Sequence, residues 1–164
     1  MGFDAFLKIN GVDGESSDSK HKGEIEIVSY HWGVSQAISG TVSSSGTFSG
    51  QRCDMTALSI VKALDKASPK LAQACAAGDH FTDATLTLSR STGDKQPYMK
   101  YKLSDILIEN VSVGGASNGE GGVPQEELGL RYSKIELEYT VVGTDGKAAG
   151  NVSGGWDLKE NKKV

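Results

Sequence analysis

Cysteine and proline are scarce in this chain, and neither can organise its fold. Among 164 residues there are two cysteines, Cys53 and Cys75, and three prolines, against 21 glycines. Two cysteines in different predicted elements make no disulfide framework, so we predict that both are reduced residues of the core. Much glycine with little proline indicates many tight turns. A chain of this length is predicted to form a single domain over residues 1–164, and such a domain needs no metal or disulfide to fold.

Positive charge and long apolar runs are also lacking. The formal net charge is −4, which argues against nucleic-acid binding because that function needs a basic face. No apolar run approaches the ~20 residues of a membrane-spanning helix, so no membrane insertion is predicted. The first residues, Met1-Gly-Phe-Asp4, show neither the basic region nor the apolar core of a secretory signal. We therefore expect synthesis in the cytoplasm without a signal peptide.

No motif in the sequence supports catalysis or metal binding. Gly115-Ala-Ser-Asn-Gly119 has the spacing of a nucleophile elbow, but the residues 120–124 after it cannot begin the helix that an elbow needs. Ser59-Ile-Val-Lys62 matches S-x-x-K without its partner motifs. The three histidines lie in separate segments, and the adjacent Glu126 and Glu127 are interpreted as loop charges. We predict a protein that is not an enzyme and that uses no cofactor and no metal.

Alternation of apolar and polar residues predicts a mainly β structure. In residues 3–9 every second side chain is apolar, with Asp4 and Lys8 on the opposite face. Similar alternation predicts strands over residues 24–32, 54–62, 84–91, 98–113 and 128–142, and a last short strand at 156–158 before a charged tail. Residues 54–62 fit a helix nearly as well. Many strands without regularly alternating helices favour a β-barrel or a β-sandwich.

One helix is predicted, over residues 68–77. Ser68 is a plausible N-cap, Pro69 suits the first helical position, and Gly78 suits the position after the last turn.

The segment from Ser35 to Gly50 has a different composition. It is rich in serine, glycine and threonine, and its apolar residues are Ala37, Ile38, Val42 and Phe48. Such a segment cannot pack a core by itself, so it is either a flexible loop or an arm that packs on something else.

Short motifs along the whole chain resemble those of one protein family. In order they are Phe6-Leu-Lys-Ile9, Gly14-Glu-Ser16, Glu24-Ile-Glu-Ile27, Trp32-Gly-Val-Ser-Gln36, Asp65-Lys-Ala-Ser-Pro-Lys-Leu71, Ala74-Cys-Ala-Ala-Gly78, Asn110-Val-Ser-Val-Gly-Gly115, Glu127-Leu-Gly-Leu130 with Tyr132, and Gly155-Trp-Asp-Leu158. Each motif alone is weak, whereas their order and spacing together are specific. They resemble the haemolysin-coregulated protein (Hcp) family, the tube subunit of the bacterial type VI secretion system. A tail-tube protein of a contractile phage, similar in fold, is the alternative.

The resemblance implies a fold, an assembly and partners. The fold is a compact β-barrel of two sheets with one flanking α-helix. Six copies form a ring with an open lumen, and rings stack into a tube that a contractile sheath drives out of the cell behind a spike protein. The implied partners are other copies of the chain, the spike, sheath and baseplate proteins, and small effector proteins carried in the lumen. The implied destination is the extracellular space or a target cell.

The resemblance also implies two functional surfaces. The strand that carries Ser29 and His31 runs along the inner wall, so these two side chains would line the lumen while Tyr30 and Trp32 pack into the barrel. Many relatives carry a smaller side chain at the position of His31. The loop at about 35–50 reaches an adjoining subunit or ring, and its implied contact residues are Ile38, Val42 and Phe48.

Overall fold

The computed structural model describes residues 2–39, 49–120 and 122–164. In that part of the chain it contains twelve strands and one helix. They are β1 (Phe3–Ile9), β2 (Ile25–Ile27), β3 (Ser29–His31), β4 (Val34–Ser39), β5 (Ser49–Met55), β6 (Leu58–Ala63), α1 (Ser68–Ala77), β7 (His80–Arg90), β8 (Pro97–Gly114), β9 (Gln125–Arg131), β10 (Lys134–Val142), β11 (Ala148–Asp157) and β12 (Lys162–Lys163). The predicted mainly β fold with two sheets and one helix is confirmed.

Ten of the strands form one antiparallel sheet that folds over into two layers. The large layer has the order β12-β11-β10-β8-β7-β1-β2, and the small layer consists of β3, β6, β9 and the second half of β8. Strand β8 belongs to both layers, because residues 97–107 pair with β7 and residues 107–114 pair with β9. Its bend coincides with Asp105, whose φ is +54°. Strands β4 and β5 form a separate two-stranded sheet.

Two of the predicted strands are in fact divided where the chain passes between layers. The predicted strand 24–32 consists of β2, which pairs with β1, and β3, which pairs with β6. Between them the Val28 N–H donates to the Val61 carbonyl (2.7 Å). The predicted strand 128–142 is likewise divided into β9 and β10. At that break the Tyr132 side chain is buried, and the Ser133 N–H donates to the Ser104 carbonyl (3.0 Å).

Other boundaries also differ from the prediction, and strand β7 begins at His80 instead of residue 84. The predicted strand 54–62 is divided at residues 56–57 between β5 and β6, which belong to different sheets. The predicted last short strand is longer than expected: β11 is ten residues long because it pairs along β10, and part of the charged tail forms β12 against it.

Apolar side chains from the facing sides of the two layers make the core. Ten large aliphatic residues of the strands are almost completely buried: Leu7, Ile25, Leu58, Ile60, Leu86, Leu103, Ile106, Leu128, Leu130 and Ile135. Burying one such side chain stabilises the fold by roughly 1.5–3 kcal/mol. The helix adds Leu71 and Ala74 to the same cluster, so it packs alongside the layers.

The helix occupies the predicted residues, but its first turn is built differently. Ala67 occupies the N-cap position and makes no side-chain cap, so the prediction of Ser68 as N-cap is wrong. The Ser68 hydroxyl instead accepts the Asp65 N–H (3.0 Å). Gly78 ends the helix as predicted, with φ +69° and its N–H donated to the Ala74 carbonyl.

A buried charged cluster joins the small layer to the helix. Lys62 on β6 is completely buried, and its Nζ lies 2.6 Å from Glu126 Oε2 on β9 and 2.8 Å from Asp65 Oδ1. It also donates to the Ser68 hydroxyl (3.1 Å), and that hydroxyl donates to Glu126 Oε2 (2.9 Å). Glu126 is only 2% exposed, so its interpretation as a loop charge is wrong. We refer to these four residues as the Lys62 cluster.

Candidate functional surface

One side of the small layer faces the core, and the other faces solvent. In the pairing register His31 is opposite Ser59, Ser59 is opposite Gly129, and Gly129 is opposite Asn110. The neighbouring row contains Ser29, Val61, Glu127 and Ser112. Side chains two apart on a strand share a face, so both rows lie on the side away from the core. We call these eight positions the polar face. The structure brings Ser29 and His31 together there, and both are exposed.

The polar face is hydrophilic and carries charges of both signs. Glu127 is exposed on this face. Four residues further along β9, Arg131 Nε lies 3.1 Å from Glu109 Oε1, and Arg131 Nη1 donates to the Met55 carbonyl (3.1 Å). The Asn110 side chain lies over Gly129, where an added Cβ would be 2.5 Å from Asn110 Oδ1. Sequence reasoning missed Glu127, because strand β9 begins at Gln125 and not at the predicted residue 128.

On the core side of the same layer, the predicted inward packing of Tyr30 and Trp32 is confirmed. The Tyr30 ring lies 5.6 Å from the Tyr101 ring and 6.2 Å from the Phe3 ring. Burial, together with the hydrogen bond to the Tyr101 hydroxyl, raises the pKa of Tyr30. The Trp32 indole N–H donates to the Tyr132 hydroxyl, which donates to the Thr56 carbonyl (2.8 Å). Burial also raises the pKa of Tyr132. These contacts hold β3 against the core.

A β-hairpin follows the polar face in the chain. Strands β4 and β5 pair from Val34 opposite Met55 to Ser39 opposite Ser49. They include both ends of the segment 35–50, and the side chains of Val34 and Ile38 are exposed. Of the other implied contact residues, Val42 and Phe48 lie outside the described residues. A two-stranded sheet alone is marginally stable in water, so this hairpin would gain stability from a further contact.

The small layer also has two free edges. Strand β3 pairs with β6 alone, and residues 108–114 of β8 pair with β9 alone, within the described chain. The order of the layer is β3-β6-β9-β8, so these edges lie on opposite sides of it. A free edge offers a row of unpaired backbone N–H and C=O groups to another strand.

The described residues contain no group of His, Cys, Asp and Glu side chains arranged to hold a metal ion. His21 contacts Glu24 and the exposed His80 contacts Asp105, each as a simple pair (2.9 and 3.0 Å). The two cysteines are not bonded to each other and are half-buried. Among the helices of the described chain, none is long and apolar enough to cross a membrane.

Comparison with known proteins agrees with this architecture. Residues 6–139 match the model of the family described as "Type VI secretion system effector, Hcp". The chain belongs to the Hcp family. It is 35% identical over 163 residues to protein hcp1 of Pseudomonas aeruginosa, with 98% of each chain covered. Because the family model and this relative are both Hcp proteins, they favour this family over the alternative of a phage tail-tube protein.

Solved structures of Hcp and type VI secretion proteins have the same fold. The chain superposes on the crystal structure of Hcp1 from Salmonella typhimurium with a TM-score of 0.80 at 34% identity, covering 99% of this chain and 100% of the other. A structure described as a type six secretion system protein gives a TM-score of 0.93 at 33% identity, with the same coverage. The chain thus shares both family and fold with proteins of the type VI secretion system.

Proposed function

We propose that this protein is a structural, non-catalytic subunit of the type VI secretion tube, active as a homohexameric ring. The observation that carries the proposal is the pair of free edges on the small layer. Pairing the β3 edge of one copy with the β8 edge of the next joins two different surfaces, and such a head-to-tail contact repeats until the ring closes. The polar face, with Ser29 and His31, then lines the lumen.

In this proposal the rings stack into a tube that is driven out of the cell by a contractile sheath. The other partners are the spike and baseplate proteins at the end of the tube, and small effector proteins inside it. A hydrophilic lumen of mixed charge suits transient carriage of folded proteins, because it offers hydrogen bonds without a large apolar surface. The subunit is made in the cytoplasm and leaves through the secretion system, and it needs no cofactor.

Electron microscopy of the purified protein tests the proposal. We expect rings of uniform diameter with a central hole, and sedimentation at six times the 17.3 kDa subunit mass. A protein that stays monomeric from micromolar to millimolar concentration contradicts the ring.

The hairpin is proposed as the contact between adjoining subunits or rings. We predict that Ile38→Asp and Phe48→Asp each abolish tubes while leaving the fold of the subunit intact. The reason is that a buried aliphatic or aromatic side chain contributes roughly 1.5–3 kcal/mol per copy, repeated around the ring. Negative-stain electron microscopy shows how many tubes and rings form. Asn151→Asp is the control, because it adds the same charge at an exposed position of β11. Normal tubes from both hairpin variants would exclude this role.

His31 is proposed to contact cargo. We predict that His31→Ser lowers the retention of at least one co-produced effector by roughly two- to tenfold, as expected for one lost hydrogen bond of about 0.5–1.5 kcal/mol. Pull-down of effector with tagged rings measures retention. His80→Ser is the matched control, since His80 is an exposed histidine on β7, outside the polar face. Equal retention of every effector by wild type and His31→Ser removes the case for His31.

A further inference from the structure

The large layer extends beyond the small layer that covers it, and the extension is apolar. On its core side, the row that contains Tyr101 and Leu137 is covered by Tyr30 and Trp32. The next row continues through Met99, Tyr139 and Val152. There Tyr139 is 48% exposed and Val152 is 65% exposed, and Val141, two residues further along β10, is 42% exposed. We call Met99, Tyr139, Val141 and Val152 the overhang.

The overhang lies next to the free edge of β3. Tyr30 of β3 contacts Tyr101, and the overhang begins one residue pair beyond Tyr101, where Met99 is opposite Tyr139. Strand β3 is the last strand of the small layer on this side. A strand added to the free edge of β3 would therefore lie above the overhang and cover it.

The opposite edge of the small layer, formed by β8, also has an apolar side chain that nothing in the described chain covers. Val111 and Val113 on β8 are opposite Leu128 and Glu126, two buried residues, so both valines project towards the core side. Val113 is nevertheless 54% exposed. At this edge an apolar side chain on the core side of the small layer is left uncovered.

We infer that the overhang of one copy covers the Val113 edge of the next copy in the ring. The inference rests on the proposed ring and adds to it a second contact layer behind the strand pairing. When the β3 edge of one copy pairs with the β8 edge of its neighbour, Val113 of the neighbour lies over Tyr139 and Val152. Both apolar surfaces are then buried, as the core of a stable interface requires.

The two surfaces lie beside the two free edges of the same layer, so a neighbouring copy that pairs with these edges covers both surfaces. This continuity with the proposed strand pairing identifies a second copy of the chain, in one orientation, as the occupant.

Two substitutions at the two surfaces test the inference. We expect Val152→Glu and Val113→Glu each to abolish the ring and to sediment as monomers, with unchanged circular dichroism. The control Ser153→Glu places the same charge on the same strand but on the opposite side of the large layer, and it should form rings like the wild type. A mixture of the two valine variants should form dimers, because one variant keeps an intact Val113 edge and the other keeps an intact overhang.

The outcomes separate this inference from the proposed ring. Rings formed by Val152→Glu, or monomers only in the mixture of folded variants, overturn the inference. Rings of Val152→Glu that no longer form a tube or support secretion would assign the overhang to a different partner, and also overturn it. A wild-type protein that forms no rings contradicts the ring proposal itself.

Discussion

Replacing Lys62 with methionine is expected to lower the free energy of unfolding by about 3–5 kcal/mol, as is typical when one partner of a buried ion pair is removed. In the folded chain Glu126 is 2% exposed and lies 2.6 Å from Lys62 Nζ. Without the ammonium, the Ser68 hydroxyl is the one partner that the Glu126 carboxylate keeps among the described residues. A buried charge without its counter-ion is costly because no water replaces the lost contact.

Urea unfolding followed by circular dichroism measures the effect of Lys62→Met. Lys8→Met is the matched control, since Lys8 is an exposed lysine on β1, and we expect it to change stability by less than about 0.5 kcal/mol. Lys62→Met combined with Glu126→Leu should be more stable than Lys62→Met alone, since it removes the unpaired charge as well. A double variant that is less stable than Lys62→Met would show that packing, and not charge, dominates at this position.

Replacing Gly14 with alanine is expected to cost about 3 kcal/mol, the upper part of the range for an overpacked site. A Cβ on Gly14 would collide with the Glu24 carbonyl oxygen and lie 2.6 Å from the carbonyl carbon and 2.7 Å from Ile25 Cα. All three atoms belong to backbone, which cannot turn aside as a side chain can. The Gly14 N–H also donates to the Gly23 carbonyl (2.8 Å), so a shift of the backbone would weaken this hydrogen bond.

Thermal or urea unfolding of Gly14→Ala measures this cost, and Gly154→Ala provides the comparison. No atom lies within 4 Å of a Cβ built on Gly154, and its φ is not in the left-handed region. Alanine there should leave stability unchanged or raise it by about 0.4–1 kcal/mol. Equal stability of Gly14→Ala and wild type would mean that the β2 segment moves away without cost.

Alternation predicts the strands of this fold well where one strand stays in one layer. Strand β1 occupies the predicted residues 3–9, and the turn glycine ends α1 where expected. The breaks at Val28 and Tyr132 were not predicted, although the alternation changes phase at both. Ile27 faces the core before the first break and Tyr30 after it, and Tyr132 is followed by Ile135 instead of an apolar residue at position 134. The change of phase marks a break, but only the strand pairing shows that the chain changes layer there.

The Lys62 cluster and the edges could not be predicted for a different reason. A charged residue in a sequence is expected on the surface, and Glu126 becomes a buried residue only through partners such as Ser68, which is 58 positions away. Similarly, alternation assigns Ser29 and His31 to one face of a strand, but only the strand order reveals that β3 is an edge. Val113 is exposed because the large layer does not extend far enough to face it, and the local sequence gives no information about the extent of that layer.

The crossings of the main chain between the two layers have a mechanical consequence. The chain passes from one layer to the other at Val28, at the bend near Asp105, and between Tyr132 and Ser133. Layers joined only by side-chain packing can separate by losing non-covalent contacts, whereas a covalent chain hardly stretches. In the proposed tube, a force applied to the large layer would therefore reach the small layer through continuous backbone, and the two layers would move as one rigid body.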